Sequence, residues 1–205
     1  MKIKNPDNNW IIELVIKFGG MILPVEAMEL YNAVISSPEG SVVEIGSASG
    51  GTTIVLIKAA EKVGKIVYSI DPYPEEFEGN VAYYTPGLMK KLRDDFKRNI
   101  LDGPYDNIVQ YNEDISKCID KIPKEISVAF IDGLHELSNV MNELNLLYPL
   151  IVDDGWVYIH DAVGAWDTGQ SSRTKESGLM RIWDVIDKDI FKEIKSVGTM
   201  FCGRK

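Results

Sequence analysis

Apolar residues recur at helical spacing over residues 10–18 and 25–35, with Gly19-Gly20 and Pro24 between them, so the chain is predicted to open with two helices. The period then changes. Residues 42–45 and 66–70 are short apolar runs, and the stretch between them, 52–63, is amphipathic and stops at Gly64, which predicts a strand, a helix and a second strand. A right-handed crossover makes those two strands parallel and brings the residues that follow them to one carboxyl edge. Further strands are predicted at 108–111, 126–131 and 156–159, and helices at 87–100, 137–148 and 179–186. The last two apolar runs, 191–196 and 199–203, are joined only by Val197-Gly198 and should form an antiparallel hairpin. The expected fold is α/β: a doubly wound sheet of about seven strands, mostly parallel with an antiparallel C-terminal hairpin and helices on both faces.

Length makes this one domain rather than two. The 205 residues suit a single α/β unit, with residues 1–40 as N-terminal helices and 41–205 as the core. Apolar residues at 45% and charged ones at 26% exclude disordered and fibrous classes. A net charge of -9 without a basic run argues against nucleic acid as a partner and favours a small molecule. Lys90, Lys91, Arg93, Lys97 and Arg98 read as the solvated face of one helix. Cys118 and Cys202 lack metal-site spacing and read as buried thiols. Neither a signal peptide nor a membrane span is legible, so the cytoplasm is the expected location and no membrane partner is expected.

Two stretches fall outside the periodic pattern. Residues 72–85 are acidic, aromatic and long for a connection, which suggests a lid; Tyr83 and Tyr84 in it suit either an acceptor with apolar surface or a subunit contact in a homo-oligomer. Residues 164–177 form a polar loop expected to close on substrate. The two opening helices suit either a roof over a ligand or packing at the sheet edge.

The chemistry concentrates where the first strand ends. Glu44-Ile-Gly46-Ser47-Ala48-Ser49-Gly50-Gly51-Thr52 runs from strand through a glycine turn into a helix, a construction that lets backbone approach a ligand and aims amides at it. The dinucleotide fingerprint G-x-G-x-x-G is not met, since Ala48 stands at the central place. Glu44, two residues before the first glycine, repels pyrophosphate and suits a cationic ligand. Acids also follow the other strands: Asp71, Asp114, Asp132 and Asp161. Turns and helix caps favour acids, which explains any one of these, but five at one edge make a coherent site.

The acid-x-G-x-x-x-G run resembles motif I of the class I S-adenosylmethionine-dependent methyltransferases, whose fold is Rossmann-like. Together with Phe130-Ile-Asp132-Gly-Leu-His135, Asp154-Gly155 and Ile159-His160-Asp161, it resembles the small-molecule O-methyltransferase branch that includes macrolide-sugar methyltransferases and cephalosporin-hydroxylase-like proteins. The resemblance covers residues 42–202. It implies that Glu44 and the backbone of Gly46, Ser47, Ala48, Ser49, Gly50, Gly51 and Thr52 hold the methionine portion of S-adenosylmethionine. It further implies that Asp71 accepts from the ribose hydroxyls, that Asp114 and Ile115 flank the adenine, and that Asp132 borders the cofactor. In that branch the acids corresponding to Asp132 and Asp161 bind a divalent cation, so Mg²⁺ (or Ca²⁺) is expected, with His160 as a third ligand or a packed core residue. His160 stands where relatives often have an acid, and Leu134 where they commonly have another.

His135 is the candidate base, its other reading being a cap on the following helix. The expected activity is O-methylation of a small hydroxylated metabolite or sugar, assisted by the metal. A noncatalytic S-adenosylmethionine-binding or partner protein of the same fold is the alternative, and a nicotinamide oxidoreductase is disfavoured by Glu44 and Ala48. Asp71-Pro72-Tyr73 is similar to the D-P-P-Y motif of nucleic-acid amino-methyltransferases, but that motif follows a fourth strand and this one a second.

Overall fold

The computed structural model describes residues 9–74, 85–134, 136–163 and 182–205. The chain opens with α1 (Asn9–Lys17) and α2 (Pro24–Ser36). It alternates through β1 (Ser41–Ile45), α3 (Thr53–Val63), β2 (Val67–Ile70), α4 (Pro86–Phe96), β3 (Ile108–Tyr111), α5 (Ile115–Cys118) and β4 (Ile126–Ile131). After α6 (Leu137–Leu147) come β5 (Ile151–Ile159), α7 (Ile182–Val185), β6 (Glu193–Val197) and β7 (Met200–Arg204). The seven strands lie in the order β3-β2-β1-β4-β5-β7-β6. β1 to β5 are parallel and only β7 pairs antiparallel, with β5 on one side and β6 on the other. This is the doubly wound layout the periodicity predicted.

Strand alternation sorts the core into two layers. Val42, Val67, Val128, Phe130 and Tyr158 face one side, where Leu30, Val34, Ile54 and Ile57 of α2 and α3 pack with Phe96. Val43, Ile45, Ile70, Ala129, Ile131 and Val157 face the other, against Cys118 of α5 and Val140, Leu144 and Leu147 of α6. Buried Lys65, before β2, donates to the carbonyls of Val34 and Ser37 and to the hydroxyls of Ser37 and Ser127, which ties the end of α2 to the amino edge of the sheet.

Three local features differ from the expectation. β5 starts at Ile151 rather than 156: while β4 advances from Ile126 to Val128, β5 advances from Ile151 to Trp156, so Asp154-Gly155 sits in a bulge within the strand, with Asp154 at φ 64°. α4 continues into a π-helical turn, Lys97–Leu101, whose Asn99 donates to the Ser49 carbonyl. The short helix α5 follows β3 directly, capped by Asp114. Residues 75–84 of the predicted lid, the whole 164–177 loop and residues 179–181 of the predicted 179–186 helix lie outside the described residues. No helix among the described residues is long and apolar enough to cross a membrane.

Candidate active site

The parallel registers align Ile45 with Ile70 and Ile131, Ile70 with Tyr111, and Ile131 with Ile159. One residue on, Gly46, Asp71, Asn112, Asp132 and His160 therefore form a row across the carboxyl edge. Backbone bonds continue the ladder into that row, from Gly46 N to Ile70 O, Asp71 N to Tyr111 O, Asp132 N to Ile45 O and His160 N to Ile131 O. Four predicted site positions are thus brought together by register alone. Asp114 stands two residues further along its own chain segment, exposed, with Oδ1 accepting from Ser116 N at 2.8 Å and Ser116 Oγ at 2.6 Å; Ile115 beside it is buried.

The glycine loop is held from below by Asp71. Its Oδ2 accepts from the amides of Ser47 and Ala48, each at 3.0 Å, and its Oδ1 from Tyr73 N at 3.0 Å. Tyr73 returns the contact by donating its hydroxyl to Ala48 O at 2.7 Å, and a hydroxyl bond joins Ser47 to Ser69. Ala48 at φ 45° and Tyr73 at φ 41° are left-handed, a conformation costly for residues with a Cβ and held here by these bonds.

The glycines serve close protein approach. A Cβ on Gly46 would lie 2.0 Å from the Asp132 carbonyl oxygen, one on Gly50 2.6 Å from Ile100 Cγ1, and one on Gly51 2.1 Å from Gly20 Cα. The last contact, with Ser49 Oγ donating to Phe18 O at 3.0 Å, seats the α1–α2 linker directly on the loop that opens toward α3 at Thr52.

Glu44 is fully buried one pleat below the row, on the α3 face. Its Oε2 accepts from Thr53 Oγ1 at 2.6 Å, while Oε1 is buried without a hydrogen-bond partner. Burial first, then the Asp132 and Asp71 charges, push its carboxyl up to about 8 against the Thr53 bond. Burial likewise raises Asp71. A carboxyl whose folded value exceeds its unfolded one costs nothing below the unfolded value and progressively more as pH rises toward the folded one. Wild-type protein should therefore lose stability between about pH 4.5 and 8, by the order of a few kcal/mol from this group, and Glu44→Gln, which cannot ionise, should lose less. Thermal unfolding across that range measures it; parallel curves for the two proteins would show that Glu44 ionises freely in the fold.

Two acids were missed by the sequence reading. Glu143 of α6 lies against the turn after β4, where a Cβ on Gly133 would meet its Oε1 at 3.1 Å. Its Oε2 is buried without a partner, and burial, with Asp114 and Asp132, lifts its carboxyl to about 8. The available signal was its place on the same helical face as Val140 and Leu147. Glu26 of α2 is fully buried and accepts from Leu23 N at 2.7 Å, Thr199 N at 2.7 Å and Thr199 Oγ1 at 2.9 Å. Its signal was an acid inside an otherwise apolar helix face.

The metal expectation needs correction. β5 ends at Ile159, so side-chain alternation stops, and Asp161 turns at φ 54°. His160 does not present a nitrogen lone pair beside Asp132 and Asp161: Nδ1 lies 3.0 Å from Asp132 Oδ1 and Nε2 3.2 Å from Glu26 Oε2. Burial opposes its charge, but Asp132, Glu26 and Asp161 outweigh that and carry its pKa to about 11. A protonated ring repels a cation and cannot ligate one. Asp132, His160 and Asp161 thus do not fit Mg²⁺ or Ca²⁺ in this arrangement, and no group of three metal-ligating side chains converges among the described residues. His135 lies outside the described residues.

Known proteins resemble this chain in sequence and in fold. An uncharacterized protein of Acanthamoeba polyphaga mimivirus is 30% identical over 121 residues, 58% of this chain and 50% of that protein, so the chain spans about half the length of the curated relative it matches. The O-methyltransferase from Bacillus cereus in complex with SAH superposes with a TM-score of 0.63 at 15% identity, over 98% of this chain and 92% of that one. The O-methyltransferase NovP superposes with a TM-score of 0.60 at 18% identity, over 90% and 81%. These likenesses show the fold. A family model described as a methyltransferase domain matches residues 43–162, from inside β1 to just past the β5 edge. That span holds the glycine loop and every strand-end acid of the parallel sheet, and the chain belongs to the methyltransferase-domain family.

Proposed function

We propose that the chain is an S-adenosylmethionine-dependent O-methyltransferase acting on a small hydroxylated metabolite or sugar. The observation that carries the reading is Glu44: a fully buried carboxyl with an unpartnered oxygen beside the glycine loop, lifted to about 8 by burial and by the Asp132 and Asp71 charges. The cofactor's ammonium group fits that need, and a buried acid without it is an unexplained cost. S-adenosylmethionine, when bound, supplies an electrophilic methyl carbon on a sulfonium.

The chain's own residues supply the rest. Glu44 and the Gly46–Thr52 backbone hold the amino-acid end. Asp71 Oδ1 takes a single amide and keeps acceptor capacity for a ribose hydroxyl, while its Oδ2 keeps the loop in shape. Asp114 and Ile115, following β3, border the base. Alignment of an acceptor oxygen with the methyl carbon contributes roughly 7–11 kcal/mol in such displacements. His135, three residues after Asp132 and two before α6, removes the hydroxyl proton. The net charge of -9, the lack of a basic run and the likeness to O-methyltransferases support a small acceptor over nucleic acid.

Calorimetric titration with S-adenosylmethionine in two buffers of different ionisation heat tests the reading. Near neutral pH the cofactor's ammonium should displace a proton from Glu44, so wild type should bind with release of up to one proton, and Glu44→Gln should bind at least about tenfold more weakly with none. A wild-type protein that does not bind the cofactor would sink the proposal. Binding without transfer to any hydroxylated acceptor would instead make this a noncatalytic cofactor-binding protein.

A further inference from the structure

A buried line of charge crosses three elements beside the cofactor edge. Glu26 on α2 takes two amides and a hydroxyl, then the His160 ring, and the ring's far nitrogen reaches Asp132 at the end of β4. The hairpin turn is shaped for this contact. Gly198, at φ 59°, passes so close that a Cβ there would lie 2.3 Å from Glu26 Oε1, and only then can Thr199 donate twice. His160 is 7% exposed and Glu26 not at all, while Phe130 meets the ring edge-on at 6.2 Å between centroids.

With both acids ionised, hydrogen-bond bookkeeping sets the ring's state. An ionised carboxylate only accepts, so a ring bonded to a carboxylate at each nitrogen donates from both and is a cation without a lone pair. Glu26, already accepting from Leu23 and Thr199, has no proton to lend. The positive charge therefore sits where the resemblance implied a divalent ion, 3.0 Å from Asp132 and 3.7 Å from Asp161.

We propose that the His160 imidazolium, locked by Glu26, replaces a divalent cation in this chain: it holds Asp132 and the ends of β4 and β5 together from within, so that cofactor binding and methyl transfer need no Mg²⁺ or Ca²⁺. His160 is a positioning residue, because it acts through Asp132. Burying a cation between two carboxylates also explains why Glu26 must be so fully bonded, since either acid alone would leave a charge uncompensated. The inference rests on the methyl-transfer reading for its kinetic half only.

The test uses the wild-type chain, whose two histidines make the ring signals easy to assign. Nitrogen-15 NMR should show both His160 ring nitrogens protonated at neutral pH, with no selective broadening by Mn²⁺ at low millimolar concentration. S-adenosylmethionine affinity and transfer should be equal within about threefold in chelator and in Mg²⁺. His160→Asp, which exchanges the internal cation for a carboxylate facing three others, should bind Mn²⁺ at least about tenfold more tightly than wild type and recover transfer only with it. A singly protonated ring, a ring selectively broadened by Mn²⁺, or wild-type transfer abolished by chelator would overturn the proposal. If His160→Asp does not fold, the wild-type spectra still decide. Failure to bind S-adenosylmethionine would strike the methyltransferase reading while leaving the ring and Mn²⁺ results intact, so the two failures are distinguishable.

Discussion

Gly46→Ala is expected to cost more than about 4 kcal/mol of stability, a loss reserved for changes that the surrounding structure cannot absorb. The added methyl would sit 2.0 Å from the Asp132 carbonyl oxygen and 2.8 Å from Gly133 N, and both neighbours are backbone. Relief requires the carboxyl ends of β1 and β4 to separate, and these are the ends whose register aligns Gly46 with Asp132. The φ of 86° adds its own cost for any residue with a Cβ. Gly64→Ala is the control, because its φ of 68° is also left-handed but nothing lies within 4 Å of the new methyl. It should cost only about 1–2 kcal/mol. Denaturant unfolding of the two variants separates strain from collision; equal losses would mean that the β1–β4 junction yields easily, and cofactor binding should then survive Gly46→Ala as well.

Turnover should fall by about 10²–10⁴-fold in His135→Ala, the range for loss of a positioned base, while the affinity for S-adenosylmethionine changes by less than about threefold. The prediction follows from elimination as well as position. Of the chain's two histidines, His160 is held as a cation between Glu26 and Asp132, with a pKa near 11, and cannot take a proton at neutral pH. Glu44 and Glu143, though lifted to about 8, are buried carboxyls beside the cradle and the β4 turn. A hydroxyl is a poor nucleophile until its proton leaves, and the proposed function assigns that step to the remaining histidine. Steady-state kinetics paired with calorimetry decides the matter. A large loss of cofactor affinity would make His135 part of the cradle, and unchanged turnover would remove it from the reaction.

Much of this molecule was legible one segment at a time. Period-two and helical patterns are local, and they located all seven strands; the crossover rule then placed the strand-end acids at one edge before any contact was known. The run from Glu44 to Thr52 is local as well, which is why a single stretch of sequence carried the resemblance. Where local chemistry was ambiguous the reading went astray. Asp154-Gly155 stood ahead of the expected strand start at 156, yet the strand begins at Ile151 and the pair sits in a bulge within it. The close protein approach at the glycines was not legible either: a Cβ on Gly46, Gly50 or Gly51 would meet the Asp132 backbone, Ile100 or Gly20.

The role of His160 was beyond the sequence for a different reason. Its charge is set by Glu26, 134 residues away, and Glu26 is in turn set by Thr199, 173 residues away. No spacing rule connects such positions, because only the packing of α2 and the terminal hairpin against the end of β5 makes them neighbours. Periodicity and a short motif determined the fold and the edge that carries the chemistry. Which buried groups keep their charge, and whether a histidine beside two aspartates serves a metal or stands in for one, was decided by long-range contacts, since ionisation inside a protein depends on the partners that replace water.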